Sequence, residues 1–339
     1  MALGDDYVID ARSLAIHRWI LCGLIALTFS PQEWIVGLSV HLYHPPPGVM
    51  RLFTGFPDQG LFDLLFFSFW GSLACVAIGV QVRIASIVLA AVAVILIGFS
   101  DAVERAHHAY LYLIAPAFLS FSAWGEKWCL WPGAGARRSE NAVPSFGLLL
   151  LAIYIGAFFL GSGLVKIHGG WLDWGTEAAR AHLVTRDLNG WANAPLAHHA
   201  MELGRNVPWV WEIADWAIVL FELAVVALSF RLRTFRIALA LTVTFHVCVA
   251  YSLRILFWHN ICVYAVFVDW AGVWRWLTRL TVKHQALVVL FVASVVIATA
   301  LAHSWRFCIV NGAGAVAAIH LLVAVQRMRG RGGARGISS

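Results

Sequence analysis

Apolar runs long enough to cross a bilayer recur along almost the whole chain, and no other feature restricts its fold so severely. They occupy residues 14–34, 61–80, 83–100, 109–125, 145–165, 209–230, 236–253, 258–276, 284–303 and 307–325. A helix needs about 20 apolar residues to span ~30 Å of hydrocarbon, and each run is near that length. The runs are continuous rather than alternating, which excludes an outer-membrane barrel. With 61% of its 339 residues hydrophobic and 12% charged, the chain has more apolar surface than one water-soluble domain can hide, since such domains are roughly half apolar and a quarter charged. The expected fold is all-α, a polytopic transmembrane helical bundle of about ten spans.

Charge placement then orients the bundle. A cytoplasmic N-terminus puts Arg12, Arg18, Arg83, Lys127, Arg137, Arg138, Arg231, Arg233, Arg236, Arg275, Arg279, Lys283 and the tail arginines 327, 329, 331 and 335 on the inner side, 16 of the 24 basic residues. That excess predicts an N-in, C-in topology in a bacterial-type inner or plasma membrane. The net charge of +6 is explained by topology and does not point to nucleic acid. Met1 to Arg12 lacks a basic n-region, so the first run is expected to act as an uncleaved insertion signal. Tryptophans at run ends, Trp124, Trp128 and Trp131, Trp209 and Trp211, and Trp270, Trp274 and Trp276, are expected in the headgroup layer. Gly71, Cys75 and Gly79 read as a surface for close helix approach. The six scattered cysteines read as small core residues.

The connection 166–208 is too long for a minimal turn and is rich in Trp, His and acids, so the candidate site is sought at its start. Lys166 closes the fifth run and is followed by His168, Gly169, Gly170, Trp171, Trp174, Gly175 and Thr176. Two readings stand: a terminal lysine that snorkels to the headgroups, or an amine kept partly dry under a lid of Trp171 and Trp174, where it can accept a proton. In the sixth run Glu212, Asp215 and Glu222 fall within an arc of about 80° on one helical face, which cannot face lipid. Glu222 lies deep, and His246 in the seventh run is its expected partner, either as an interhelical hydrogen bond or as a proton relay or ligand contact. The outer histidines, among them His41, His44, His107 and His108, with Glu104 nearby, lack the spacing of a ligand motif and read as a polar rim, with no metal centre expected.

The stretch from Leu160 to Thr176, Gly-Ser-Gly-Leu-Val-Lys166-Ile-His168-Gly-Gly-Trp171 through Gly175-Thr176, followed by an acid in the sixth run and a histidine in the seventh, resembles the HTTM family, the membrane domain shared with vitamin K-dependent γ-carboxylase. The entry Arg12-Ser-Leu-Ala-Ile-His-Arg18 is similar to that family's start. The resemblance implies an HTTM-like membrane domain over 1–276 with the outer loop 166–208, two additional helices over 277–326 and a basic cytoplasmic tail over 327–339. In the family's enzyme a lysine at this position deprotonates a reduced vitamin K, and oxygenation to the epoxide yields a base that takes the γ-proton of a protein glutamate, which then adds carbon dioxide. Carried over, Lys166 takes the base role, Glu222 and His246 the buried polar pair, and His168, Trp171, Trp174, Gly175 and Thr176 the loop over a reduced quinone. The carboxylase carries a large extra-membrane domain after its helices, a counterpart of which is not expected here because the last two runs and the tail occupy residues 277–339, and an additional Trp174 separates Asp173 from Gly175. The expectation is therefore a related quinol-linked, base-catalysed reaction at the outer face. Against it stand a non-catalytic carrier of quinone or lipid, a transporter using Glu222 and His246, and a membrane scaffold. Expected partners are membrane lipids and a hydrophobic quinone-like or lipid-like ligand.

Overall fold

The structure, a computed structural model, describes residues 5–103, 110–131, 145–189, 195–207, 209–253 and 255–279. The expected runs 284–303 and 307–325, the tail 327–339, and Glu104, His107, His108, Arg137 and Arg138 lie outside the described residues. Among the described residues the regular elements are helical: α1 (Ala11–Thr28), α2 (Gln59–Ile78), α3 (Val82–Asp101), α4 (Tyr110–Leu119), α5 (Phe146–His168), α6 (Ala178–Leu188), α7 (Pro195–Asn206), α8 (Trp209–Leu228), α9 (Leu232–Leu253), α10 (Trp258–Tyr264) and α11 (Trp270–Arg279). Five of them, α1, α2, α3, α5 and α9, are long and apolar enough to cross a membrane. At 20 residues α8 is long enough as well, about 30 Å, but it carries the three acids 212, 215 and 222.

The chain divides into two compact units, Met1–Leu151 with Cys262–Asp269, and Ala152–Ile261 with Trp270–Ser339. The first is organised around Arg18. Asp10 caps α1 by accepting the Arg12 N–H, and the helix stops at Thr28 because Pro31 lies ahead. Arg18 is fully buried. Its guanidinium donates to the carbonyls of Trp124 and Trp128 at 2.7 Å each, to that of Lys127 at 3.3 Å, and to Cys129 Sγ at 3.1 Å. The turn after α4 is thus folded around a cation, which corrects the expectation that Trp124 is interfacial: its side chain is 1% exposed, while Trp128 and Trp131 are open. The indole of Trp19 stacks on Trp128 at 5.1 Å. Gly79 ends α2 in the left-handed region at φ +82°, and a Cβ there would come within 2.5 Å of Cys129 Cα. Its requirement is therefore a helix stop against a loop, whereas among the described residues nothing lies within 4 Å of a Cβ at Gly71.

In the second unit α8 and α9 form a hairpin, and α6 and α7 pack on both. A Cβ at Gly156 would lie 2.8 Å from Val226 Cα, and one at Gly163 would lie 3.0 Å from Leu223 Cδ2. These two glycines, seven residues apart on one face of α5, let the α8 backbone approach closely. Trp211 is buried, unlike the exposed Trp209, because its indole packs with Leu183 of α6 and partly buried Met201 of α7.

The expected crossing at 258–276 is interrupted. The chain passes from α10 through a 3-10 turn at Ala265–Phe267 to extended backbone at Val268 (φ −74°, ψ 132°) before α11. Mean hydropathy over a window is blind to such a break, since the short helices are as apolar in composition as one long helix would be.

Candidate functional site

Close approach of α5 and α8 sets Lys166 beside Glu222. The Nζ of Lys166 donates to both Glu222 oxygens at 2.7 Å and to Ser162 Oγ, one turn back on α5, at 2.8 Å. All three ammonium hydrogens are thereby engaged. The lysine side chain is 20% exposed and the glutamate 6%, so the pair is shielded, and removing either partner would strand a charge. The ammonium also lies 5.4 Å from the centre of the Trp171 ring, in the range of cation–π attraction.

The sequence paired Glu222 with His246. In the structure the partner of Glu222 is Lys166, and the His246 ring stacks on Phe257 at 4.4 Å and on Phe159 at 6.2 Å. Glu222, Glu212 and Asp215 are all buried, in agreement with their placement on one non-lipid face, and each has a task within this unit.

Glu212 and Asp215 hold the segment that follows Lys166. The chain leaves α5 through Gly170 (φ +77°) and Gly175 (φ +90°), left-handed positions that suit glycine. Between them Trp171 N–H bonds back to the Lys166 carbonyl at 3.1 Å, and the Thr176 hydroxyl donates to the carbonyls of Gly170 and Asp173. Glu212 Oε1 then accepts the Gly175 N–H at 2.8 Å. Asp215 accepts the N–H groups of Ala178 and Ala179, the first two residues of α6, at 2.7 and 2.8 Å. The residue at the N-cap position, Glu177, has φ +46° and makes no capping bond. Its carboxylate instead bonds Arg180. Asp215 therefore caps α6 from another helix. One turn into α6, His182 packs on Trp171 at 5.4 Å, completing a chain of contact from Asp215 to the ring beside Lys166.

The expected site residues thus separate. Lys166, Glu222 and Trp171 come together, and Gly175 and Thr176 shape the turn. His168 is exposed at the end of α5. Trp174, expected in the lid, lies along α8 with Glu212, Ile213, Trp216, Ala217 and Leu220, and 81% of its surface is open. Sequence reasoning missed Ser162, although its i−4 spacing from Lys166 on a helix was a usable signal. It also missed His182, for which no local signal exists. Chemically the arrangement joins a proton-bearing amine, a carboxylate able to take that proton, and a flat aromatic surface alongside.

The HTTM domain profile matches residues 7–274, a stretch that contains every residue of this constellation. No curated protein matches the chain, and no solved structure does so.

Proposed function

The chain belongs to the HTTM-domain family, and from that premise we propose that it is a multi-pass membrane enzyme that uses Lys166 as a base toward a reduced, vitamin K-like quinone. The observation that carries this reading is the contact of Lys166 Nζ with both Glu222 oxygens under the Trp171 ring. In a shielded pair, passage of the proton from nitrogen to carboxylate leaves a neutral amine and a neutral acid. The neutral amine is the form that accepts a proton. Ser162 holds the nitrogen in place, and Trp171 offers a planar face for an aromatic ring. Gly175 and Thr176 shape the turn that follows it, while His168 stands exposed at the end of α5, Trp174 lies along α8, and His246 stacks on Phe159 and Phe257. A reduced quinone, when bound, supplies an acidic hydroxyl and, on oxygenation, a stronger base for attack on a carbon acid. In this reading the bundle has ten spans with both termini inside, and the site faces the outer side of a bacterial inner or plasma membrane. The placement of the basic residues supports that orientation.

The test is epoxide formation from a reduced menaquinone or vitamin K under oxygen by the full chain in lipid nanodiscs. Lys166→Arg keeps a cation for Glu222 but cannot release its proton, so the protein should fold and lose at least about a hundredfold in rate. Epoxide formed at the wild-type rate by that variant would refute the base assignment. Quinone that copurifies without any turnover would move the protein to the carrier class.

A further inference from the structure

The segment between α5 and α6 is tied both to itself and to α8. Within it the Gly170 carbonyl accepts the Asp173 N–H at 3.0 Å, and the Asp173 carbonyl accepts the Thr176 N–H at 3.2 Å. The Thr176 hydroxyl donates to both carbonyls, so residues 170–176 form a closed turn that moves as one piece. It joins α5 at Gly170 (φ +77°) and α6 through Gly175 (φ +90°) and Glu177 (φ +46°). The left-handed region is costly for a residue with a Cβ, and Asp215 holds Glu177 there by capping the two residues that follow. Three N–H groups, those of Gly175, Ala178 and Ala179, therefore bind the piece to α8. The Glu212 end is the weaker, since its Oε2 is buried without a hydrogen-bond partner and Oε1 makes the single bond. When these bonds part, water can satisfy the freed N–H groups. Residues 173–176 are exposed. On the inner side Trp171 lies 5.4 Å over Lys166 Nζ, backed by His182 of α6.

We propose that residues 170–177 and the first turn of α6 form a gate over the Lys166 amine, with Gly170 as its hinge and Glu212 and Asp215 as its latch. Closed, the gate sets Trp171 over Nζ and shields the Lys166–Glu222 pair. Open, it uncovers the amine and frees the place of the indole for an incoming ligand. Latch and counter-ion share one helix, Glu222 standing about two turns beyond Asp215 and three beyond Glu212, so the partner of the amine stays in place while its cover leaves. The gate regulates the site in which Lys166 serves as base, and in that respect it rests on the function proposed above.

Acetylation of the full chain in nanodiscs by a water-soluble succinimidyl ester, followed by peptide mass spectrometry, tests the gate, because an amine reacts only where the reagent reaches it. Lysines stand at 127, 166 and 283, and Lys127, in the other compact unit, is the internal reference. In the wild type Lys166 should react at least about tenfold more slowly than Lys127. Asp215→Ala should raise the Lys166-to-Lys127 ratio about tenfold or more. Glu212→Ala loses one bond and keeps the cap on α6; it should raise the ratio several-fold, and it serves if the Asp215 variant folds poorly. In a Trp171→Ala background, where the cover is already gone, Asp215→Ala should add less than about twofold. Equal labelling of the two lysines in the wild type, or a ratio that neither latch variant changes, would overturn the proposal. So would full additivity with Trp171→Ala, since a general loosening of α6 rather than a gate would then expose the amine. Quinone turnover does not enter the measurement, so the gate and the quinone chemistry stand or fall separately.

Discussion

Substituting Asp215 with alanine strips the backbone N–H groups of Ala178 and Ala179 of the carboxylate that accepts from them at 2.7 and 2.8 Å. Glu177 cannot replace it, since its left-handed backbone directs the side chain to Arg180 rather than to the helix end. Charge-assisted hydrogen bonds contribute roughly 1.5–3 kcal/mol each. Part of that sum is offset because the carboxylate, fully buried, no longer has to be desolvated. Loss of an N-cap side chain costs about 0.5–2 kcal/mol in simpler settings, and with two bonds lost we take about 2 kcal/mol for opening the first turn of α6. That raises the population of the open turn about 30-fold, and hydrogen exchange of a peptide covering 177–188 should accelerate by that factor. Asp215→Asn retains one acceptor and should show a smaller acceleration. Exchange in Asp215→Ala within about twofold of wild type would refute the capping argument, because a protected turn would then need some other acceptor. The same variant should loosen His182 against Trp171, since both ride on the segment that Asp215 holds.

Two further substitutions probe the packing that builds the site and its neighbouring unit. Gly204→Ala would drive a Cβ into the Trp211 indole, which is buried and cannot swing away, so unfolding should shift down by about 2 kcal/mol; adding Trp211→Leu should recover part of the loss, and an unaltered melting temperature in the single variant would show that α7 yields freely. Arg18→Lys replaces a fork that reaches three carbonyls and a thiol with a single ammonium. It should cost about 3 kcal/mol and speed alkylation of Cys129 relative to buried Cys22, so equal labelling rates would argue against Arg18 as the organiser of that turn.

Hydropathy and helical period belong to each segment by itself, which is why so much was legible before any packing was known. The α-helical class, the positions of α2, α3, α5 and α9 to within a few residues, the start though not the end of α1, and the shared buried face of Glu212, Asp215 and Glu222 all follow from the order of apolar and polar residues. The resemblance around Lys166 likewise rested on contiguous residues, and the family match extends over them. Where sequence reasoning failed, the missing information was non-local. A tryptophan near the end of a run is a headgroup anchor or a core residue according to what lies opposite, and for Trp124 that is Arg18, 106 residues away. The break at 258–276 escaped notice because hydropathy averages over a helix and its interruption alike.

The partner of Glu222 illustrates the division most directly. Adjacency along the chain favoured His246, on the helix joined to α8 by a short turn, whereas the ammonium it holds comes from 56 residues upstream. Segment by segment, the amino-acid order determined which residues would be helical, which acids must avoid lipid, and where a lysine would stand at a helix end. Only the tertiary structure decided which groups meet: small residues at 156 and 163 let two backbones come close enough for Lys166 to reach across, and an ion pair depends on distances of a few ångströms that no periodicity encodes.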